Sequence, residues 1–386
     1  MLRSILKYLL FTFIICVVFT CKKPFQPVLK TVVTNNLLVV DGIVNTAPNA
    51  ITTIKLSRAR SLTDSTYDIL PENNASATIE SSTGAIYILQ QTAGTAAYTS
   101  TRLNLDPNQT YRVHVTTSGG SEYMSGFVKV KQAPPVDSIT WHQDSGVAIY
   151  AYAHDVTNNT RYYRWDFTET YQHDATYQIS WGAVNGMITK VDPSTVDTYT
   201  YHCWTDSNST SIILGTSAAL TQDVISKALI RTVPANDSKI QIRYSILIRQ
   251  YALTPEAYAY WGIIQKNTQN IGTLFDVQPS QLFGNVSSVT NKDEPVIGFI
   301  SAGSVQEKRI FIDHLDLTNW QPPLSEMSCP VKTIGHDPNN FLVYDYPDTA
   351  WAPYYFSSSA ALNITKKECL DCRRQGGTNI KPVFWQ

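Results

Sequence analysis

The sequence predicts a mainly β protein, with an N-terminal immunoglobulin-like β-sandwich followed by a larger β-rich domain carrying one or two helices. Three observations support this. Short runs of β-branched and aromatic residues recur every 8 to 12 residues or so, separated by Gly, Pro, Asn and Asp clusters. Only one segment carries a full set of helix-start signals. The composition is 43% hydrophobic and only 16% charged, with 22 Tyr and 8 Trp in 386 residues, which supports packed cores under a neutral polar surface and a chain of two domains.

The elements follow in order. Leu37–Val44 is a β-rich run and Ile51–Leu56 a second. Residues 57–74, with Pro71 and Asn73-Asn74, read as a long loop. Ala75–Glu80 alternates, Ser81–Gly84 turns, and Ala85–Leu89 continues as a strand. The turn at Asp106-Pro107-Asn108 precedes the strictly alternating Tyr111–Val115. After Ser118-Gly119-Gly120, Phe127–Val130 completes the set. Residues 37–132 therefore have the size and spacing of an immunoglobulin-like sandwich.

Pro134-Pro135 marks a boundary, because proline removes a backbone donor and restricts the residue before it. The second domain, residues 136–386, resumes strands at Ile139–Trp141, Val147–Tyr152, Tyr162–Thr168 and Tyr177–Trp181. Residues 182–212 then read as polar and irregular. A weak helix is expected over Leu220–Leu229. Arg243–Tyr251 reads as a long strand with Tyr244, Ile246, Ile248 and Gln250 on one face. The clear helix begins at Thr254 as cap, with Pro255 at the first position and Glu256 at the positive dipole end. It carries an apolar stripe of Ala257, Trp261 and Ile264, and Gly272 is its expected stop. Val296–Ile300 and Arg309–Ile312 return to β pattern.

The first twenty residues read as an address rather than a fold. Arg3 and Lys7 precede an apolar run from Tyr8 to Thr20. As a helix this run spans roughly 20 Å, too short for a hydrocarbon core of about 30 Å, so residues 1–20 are expected to be a signal peptide. Cys21 follows directly, and residues 21–36 are a polar, Pro-bearing tether. A cysteine in this place resembles a lipoprotein lipobox. Val18 suits the third position before it, while Phe19 and Thr20 are bulkier than the usual small residues. Lipidation at Cys21 is the expectation, and with it attachment to a membrane through acyl chains.

Four further cysteines, Cys203, Cys329, Cys369 and Cys372, are candidates for two disulfides in an exported chain, with three connectivities open. Cys369-Leu-Asp-Cys372 has redox-motif spacing but lacks a βαβ context. A zinc site is the other alternative, although Cys203 and Cys329 are not a close pair.

Chemistry-bearing motifs are sparse. There is no G-x-S-x-G, H-E-x-x-H, P-loop or G-x-G-x-x-G. The seven histidines are scattered, and Asp313-His314-Leu315-Asp316, read as strand, would place His314 with Asp316 as a surface pair. No catalytic residue, metal site or cofactor is therefore assigned. Net charge is −1 with no basic stripe, which disfavours nucleic acid as a partner. Among the aromatics, Trp165 and Trp261 read as core. Trp351, Tyr354 and Tyr355 lie in an Asp345–Tyr355 stretch read as an exposed loop and are candidate interface residues.

Several segments together resemble a known family. They are Leu38-Val-Val-Asp-Gly-Ile43, Pro134-Pro-Val-Asp-Ser-Ile139, Leu253–Trp261, Gly272–Asp276 with Pro279, Gly284-Asn285-Val286, Val296–Ala302, Cys369-x-Asp-Cys372, Gly376-Gly377 and Pro382–Trp385. In order and spacing they resemble the Bacteroidota family called domain of unknown function 4249. The resemblance implies an outer-membrane lipoprotein on the periplasmic or cell-surface face, working with a TonB-dependent receptor in nutrient uptake, and it carries over no catalytic residue. The resulting expectation is a non-catalytic binding or accessory subunit. The alternatives are a surface adhesion or envelope-structural protein or, further off, a peptide or glycan hydrolase. A cleft of converging carboxylates would favour the last.

Overall fold

The computed structural model describes residues 36–60, 69–184, 187–192, 200–269, 284–321, 328–335, 350–358 and 361–385. The expected signal segment, Cys21, most of the expected tether, Gly272 and residues 345–349 lie outside them. The chain is mainly β, and among the described residues Pro255–Gln269 is the single α-helix.

The first module is a β-sandwich. One layer contains Leu38–Asn45, Thr53–Arg58 and Ala97–Thr99. The other contains Ser76–Ser81, Thr110–Thr116 and Glu122–Ser125. Ile86–Gln91 pairs into both layers at one edge and Val128–Lys131 at the other, so the ladder returns to its starting strand. Period-two alternation drives the local structure: Leu38, Val40 and Val44 point inward with Ile54, Leu56, Ile79, Val113 and Val115 to form one core.

Residues 37–132 do not complete this module by themselves. Ile297–Gly303 inserts between Leu38–Asn45 and Val128–Lys131, parallel to both, and Val286–Ser288 pairs with Glu122–Ser125. The break at Pro134-Pro135 thus separates two bodies in space but not in chain order. The segment 284–303, expected in the second domain, returns to the first because Val286, Val296, Ile300 and Ala302 fill its core. Two residues fit this insertion closely. A Cβ on Gly298, whose φ is +150°, would lie 2.1 Å from the Val40 carbonyl oxygen. Asn285 acts as a strand mimic: its Oδ1 accepts from the Ile300 N–H at 2.8 Å and its Nδ2 donates to the Ile300 carbonyl at 2.8 Å.

The second module stacks two sheets. Val136–Gln143, Gly146–Asp155 and Asp223–Pro234 form one. His202–Asn208, Tyr162–Asp174, Arg243–Ala252 and Val305–Asp313 form the other, with Ile213–Thr216 also paired to Tyr162–Asp174. Trp165, Tyr163, Phe167, Ile149, Ile246 and Ile248 are in the core between them. The expected helix at Leu220–Leu229 is instead part of the strand Asp223–Pro234. Its burial alternation is interrupted by two register shifts against Gly146–Asp155 and by Lys227 at φ +60°, so the period-two signature is lost from the sequence. Residues 202–208, read as irregular, are likewise a strand. Of Asp313-His314-Leu315-Asp316, only Asp313 is strand, ending Val305–Asp313; His314–Asp316 is a 3₁₀ turn that leaves Leu315 exposed.

The clear helix forms as its signals require. The Thr254 hydroxyl accepts from the Ala257 N–H at 3.2 Å and its carbonyl from Tyr258 at 2.9 Å. Its buried residues are Ala257 and Tyr260.

Both cysteine pairs are disulfides, Cys203–Cys372 and Cys329–Cys369. The second joins a small sheet of Lys332–Gly335, Ala361–Lys366 and Trp351–Ser358 to the C-terminal turns. The first ties those turns to the second module.

Candidate functional site

Three chain crossings join the modules, and two of them run side by side. Residues 131–136 pass outward, and the strand Ile297–Gly303 runs through Ser304 directly into Val305–Asp313. These two crossings are bonded to each other, the Ala133 N–H donating to Ser304 Oγ at 2.9 Å. Gln250 anchors the first to the second module's core: its Nε2 donates to the Pro134 carbonyl at 2.8 Å while its Oε1 accepts from Trp165 Nε1 at 2.9 Å.

This junction leaves a cleft of about 440 Å³ between the modules. One wall is the outer face of the first sandwich, the residues alternating with its core: Asp41, Ile43 and Asn45, then Thr53 and Lys55, then Phe299 and Ser301. The facing surface is the outer side of the second module's five-stranded sheet, with Arg164 and Asp166, Arg249 and Tyr251, and Val305 and Glu307. Trp261 on the helix closes one side.

Register sets the chemistry of that sheet. Asp166, Arg249 and Glu307 are direct cross-strand neighbours, as are Arg164, Tyr251 and Val305 in reverse-alternate rows. Arg249 is engaged: its Nε meets Asp166 Oδ1 at 2.5 Å and its Nη2 donates to Thr168 Oγ1 at 3.0 Å. Burial opposes the Arg249 charge, but Asp166 outweighs it and holds the guanidinium above its ordinary pKa. Burial, reinforced by Asp166, keeps the Tyr251 phenol neutral well above its usual range. Arg164 is held differently. Its guanidinium lies 4.2 Å from the Trp261 ring centroid and 4.7 Å from that of Tyr251, and its Nη2 is 3.6 Å from Asp166 Oδ2. Tyr260 packs against Phe299 behind the cleft, and burial with the Asp41 charge raises its phenol to about 12.

The expected aromatic interface is placed elsewhere. Its described part, Trp351–Ser358, is a strand and not a loop, because it pairs with Ala361–Lys366. Trp351 packs on the small core of Ile188, Leu362 and Ile364, with the Lys332 ammonium 4.0 Å from its ring centroid. Tyr354 stacks on Tyr177 at 4.9 Å, and its carbonyl accepts from the Ser180 N–H. Only Tyr355 of the three is exposed. Trp165 is in the core, whereas Trp261, also read as core, is half-buried and faces the cleft.

Sequence reasoning did not single out Arg164, Asp166, Arg249 or Glu307. They sit on the polar face of alternating strands, where a charged residue ordinarily indicates solvent. Only the pairing of two modules shows that these faces meet. Among the described residues, no three His, Cys, Asp or Glu side chains are grouped as a metal site, and no helix is long and apolar enough to cross a membrane.

Comparison with known proteins adds three findings. No curated protein sequence matches the chain. Among solved structures, a segment of two fibronectin type III domains from chicken tenascin is similar at 12% identity. It covers 57% of this chain and 92% of that one, with a TM-score of 0.16, at which the two chains do not superpose as wholes. The family described as Domain of unknown function (DUF4249) matches residues 22–309, which span the first module, all three crossings and the cleft, and the chain belongs to that family.

Proposed function

We propose that the protein is an outer-membrane lipoprotein, tethered through Cys21, that binds its ligand without transforming it and serves as an accessory subunit of a TonB-dependent receptor in nutrient uptake. The observation that carries the reading is the cleft. Residues from three segments of the family pattern, 38–43, 253–261 and 296–302, line it together although they are far apart in sequence. A groove between two β modules joined by three chain crossings keeps its shape, which favours recognition over induced closure. The low charge and abundant Tyr, Thr and Asn of the chain suit a neutral protein interface.

Affinity capture of the C-terminally tagged native protein from detergent-solubilised outer membrane, read by mass spectrometry, tests the partnership. A stoichiometric TonB-dependent barrel is the expected result. Recovery of the lipoprotein alone at native expression refutes it and moves weight to adhesion. The anchor is tested separately: Cys21→Ser should leave the membrane fraction, and a variant that stays there is held by something other than lipid.

A further inference from the structure

Arg164 is a cation of the cleft whose Nε has no hydrogen-bond partner among the described residues. Its guanidinium lies over two aromatic rings, those of Trp261 and Tyr251. Its Nε is buried without a hydrogen-bond partner, and the nearest Asp166 oxygen, at 3.6 Å, is beyond hydrogen-bond distance. Asp166 is itself committed to Arg249 at 2.5 Å. A guanidinium held over two rings is oriented while its Nε is unsatisfied, the state a bidentate oxyanion relieves. Lys55 stands on the opposite wall and makes no ion pair among the described residues. The same cleft also holds Asp41 and Glu307, two carboxylates in no ion pair among the described residues. Asp41 is the cross-strand neighbour of Lys55, and Glu307 that of Arg249. A simple anion would meet these two carboxylates at a cost, whereas a ligand with both signs of charge satisfies both sets.

We infer that the cleft takes a zwitterionic ligand of the short-peptide class, with its carboxylate at the N–H edge of Arg164 and on Lys55, and its ammonium toward Asp41 and Glu307. The aromatic wall of Trp261 receives the apolar part between the two ends. This deepens the reading above by naming the ligand class, and it rests on that reading only in taking the cleft as the binding surface.

Equilibrium dialysis of the full-length protein in detergent against a degenerate tripeptide mixture with free termini, with retained peptides identified by mass spectrometry, is the test. Retention is expected. It should fall roughly tenfold in Arg164→Gln, as loss of a charge-assisted bidentate contact implies, and by a smaller factor in Lys55→Gln. Amidating the C-termini should abolish retention, and acetylating the N-termini should weaken it. Lys55 is exposed on its strand, so its variant and the two blocked mixtures decide the matter if Arg164→Gln fails to fold. The inference is overturned if no free tripeptide is retained, if the amidated mixture is retained equally, or if folded Arg164→Gln retains as much as the parent. Capture of a receptor barrel together with no peptide retention would remove this inference alone and leave the accessory-subunit reading standing.

Discussion

Replacing Gln250 by leucine isolates the polar link between the second module's core and the first chain crossing. Gln250 is fully buried on a face otherwise formed by Tyr244, Ile246 and Ile248. Its amide satisfies two buried groups, the Trp165 indole N–H and the Pro134 carbonyl. Leucine fills nearly the same space but orphans both, and a buried group left without its partner costs about 1 to 3 kcal/mol. The pair therefore costs roughly 2 to 6 kcal/mol, and the apolar burial of leucine returns part of it, leaving about 3 kcal/mol. For a domain of this size that lowers Tm by roughly 6 to 12 °C. Urea unfolding of the parent, Gln250→Leu, Trp165→Phe and the double variant, followed by far-UV circular dichroism, is the assay. Trp165→Phe removes the indole donor, so the double variant should be more stable than the sum of the two losses by about 1 to 2 kcal/mol. A loss below about 1 kcal/mol for Gln250→Leu, or strict additivity in the cycle, would refute the account of this glutamine as a satisfied structural bridge.

Three further outcomes are expected. Asn285→Ala should destabilise the first module by about 2 kcal/mol, because water reaches a half-buried asparagine site in part, and it should speed amide exchange of the peptide containing Ile300; unchanged exchange there contradicts the strand-mimic role. Opening Cys203–Cys372 with a double serine substitution releases a sequence separation of 169 residues, for which loop-closure entropy sets an upper value of about 5 kcal/mol, and a urea midpoint equal to the parent's under oxidising conditions would show that the bond is not formed. His154 Nδ1 donates to Asp137 Oδ2 at 2.8 Å, and that hydrogen bond and charge hold the imidazole above its ordinary pKa. A group raised in the folded state stabilises fully below its unfolded value, near 6.5, and loses that contribution as pH rises through its folded value. The pair therefore favours the fold in mild acid. The His154 ring resonance should titrate above the normal imidazole range and return to it in Asp137→Asn.

Much of the local structure was legible because it is written in short-range periodicity. The strict alternation of Tyr111–Val115 and Arg243–Tyr251 and the cap signals at Thr254-Pro255 all produce the expected elements. Where two bulges broke the period, in Asp223–Pro234, the reading failed. Trp351 was misplaced for a related reason: a Pro- and Tyr-rich stretch at a sheet edge has the composition of a loop, and only its ladder to Ala361–Lys366 makes it a strand.

The sequence by itself determined the inward face of the regularly alternating strands, such as Tyr111–Val115 and Arg243–Tyr251, and where the helix Pro255–Gln269 starts. These depend on the geometry of a few consecutive residues. Only the tertiary structure decided that Ile297–Gly303 returns to the first module, which cysteines join, and that the polar faces bearing Lys55 and Arg164 look at each other across a cleft. Alternation states that a face is buried or exposed but not which distant strand lies beside it. That choice is made by packing of the whole chain, where Val286, Val296 and Ile300 complete the first module's core and bring Phe299 and Ser301 to the wall opposite Arg164.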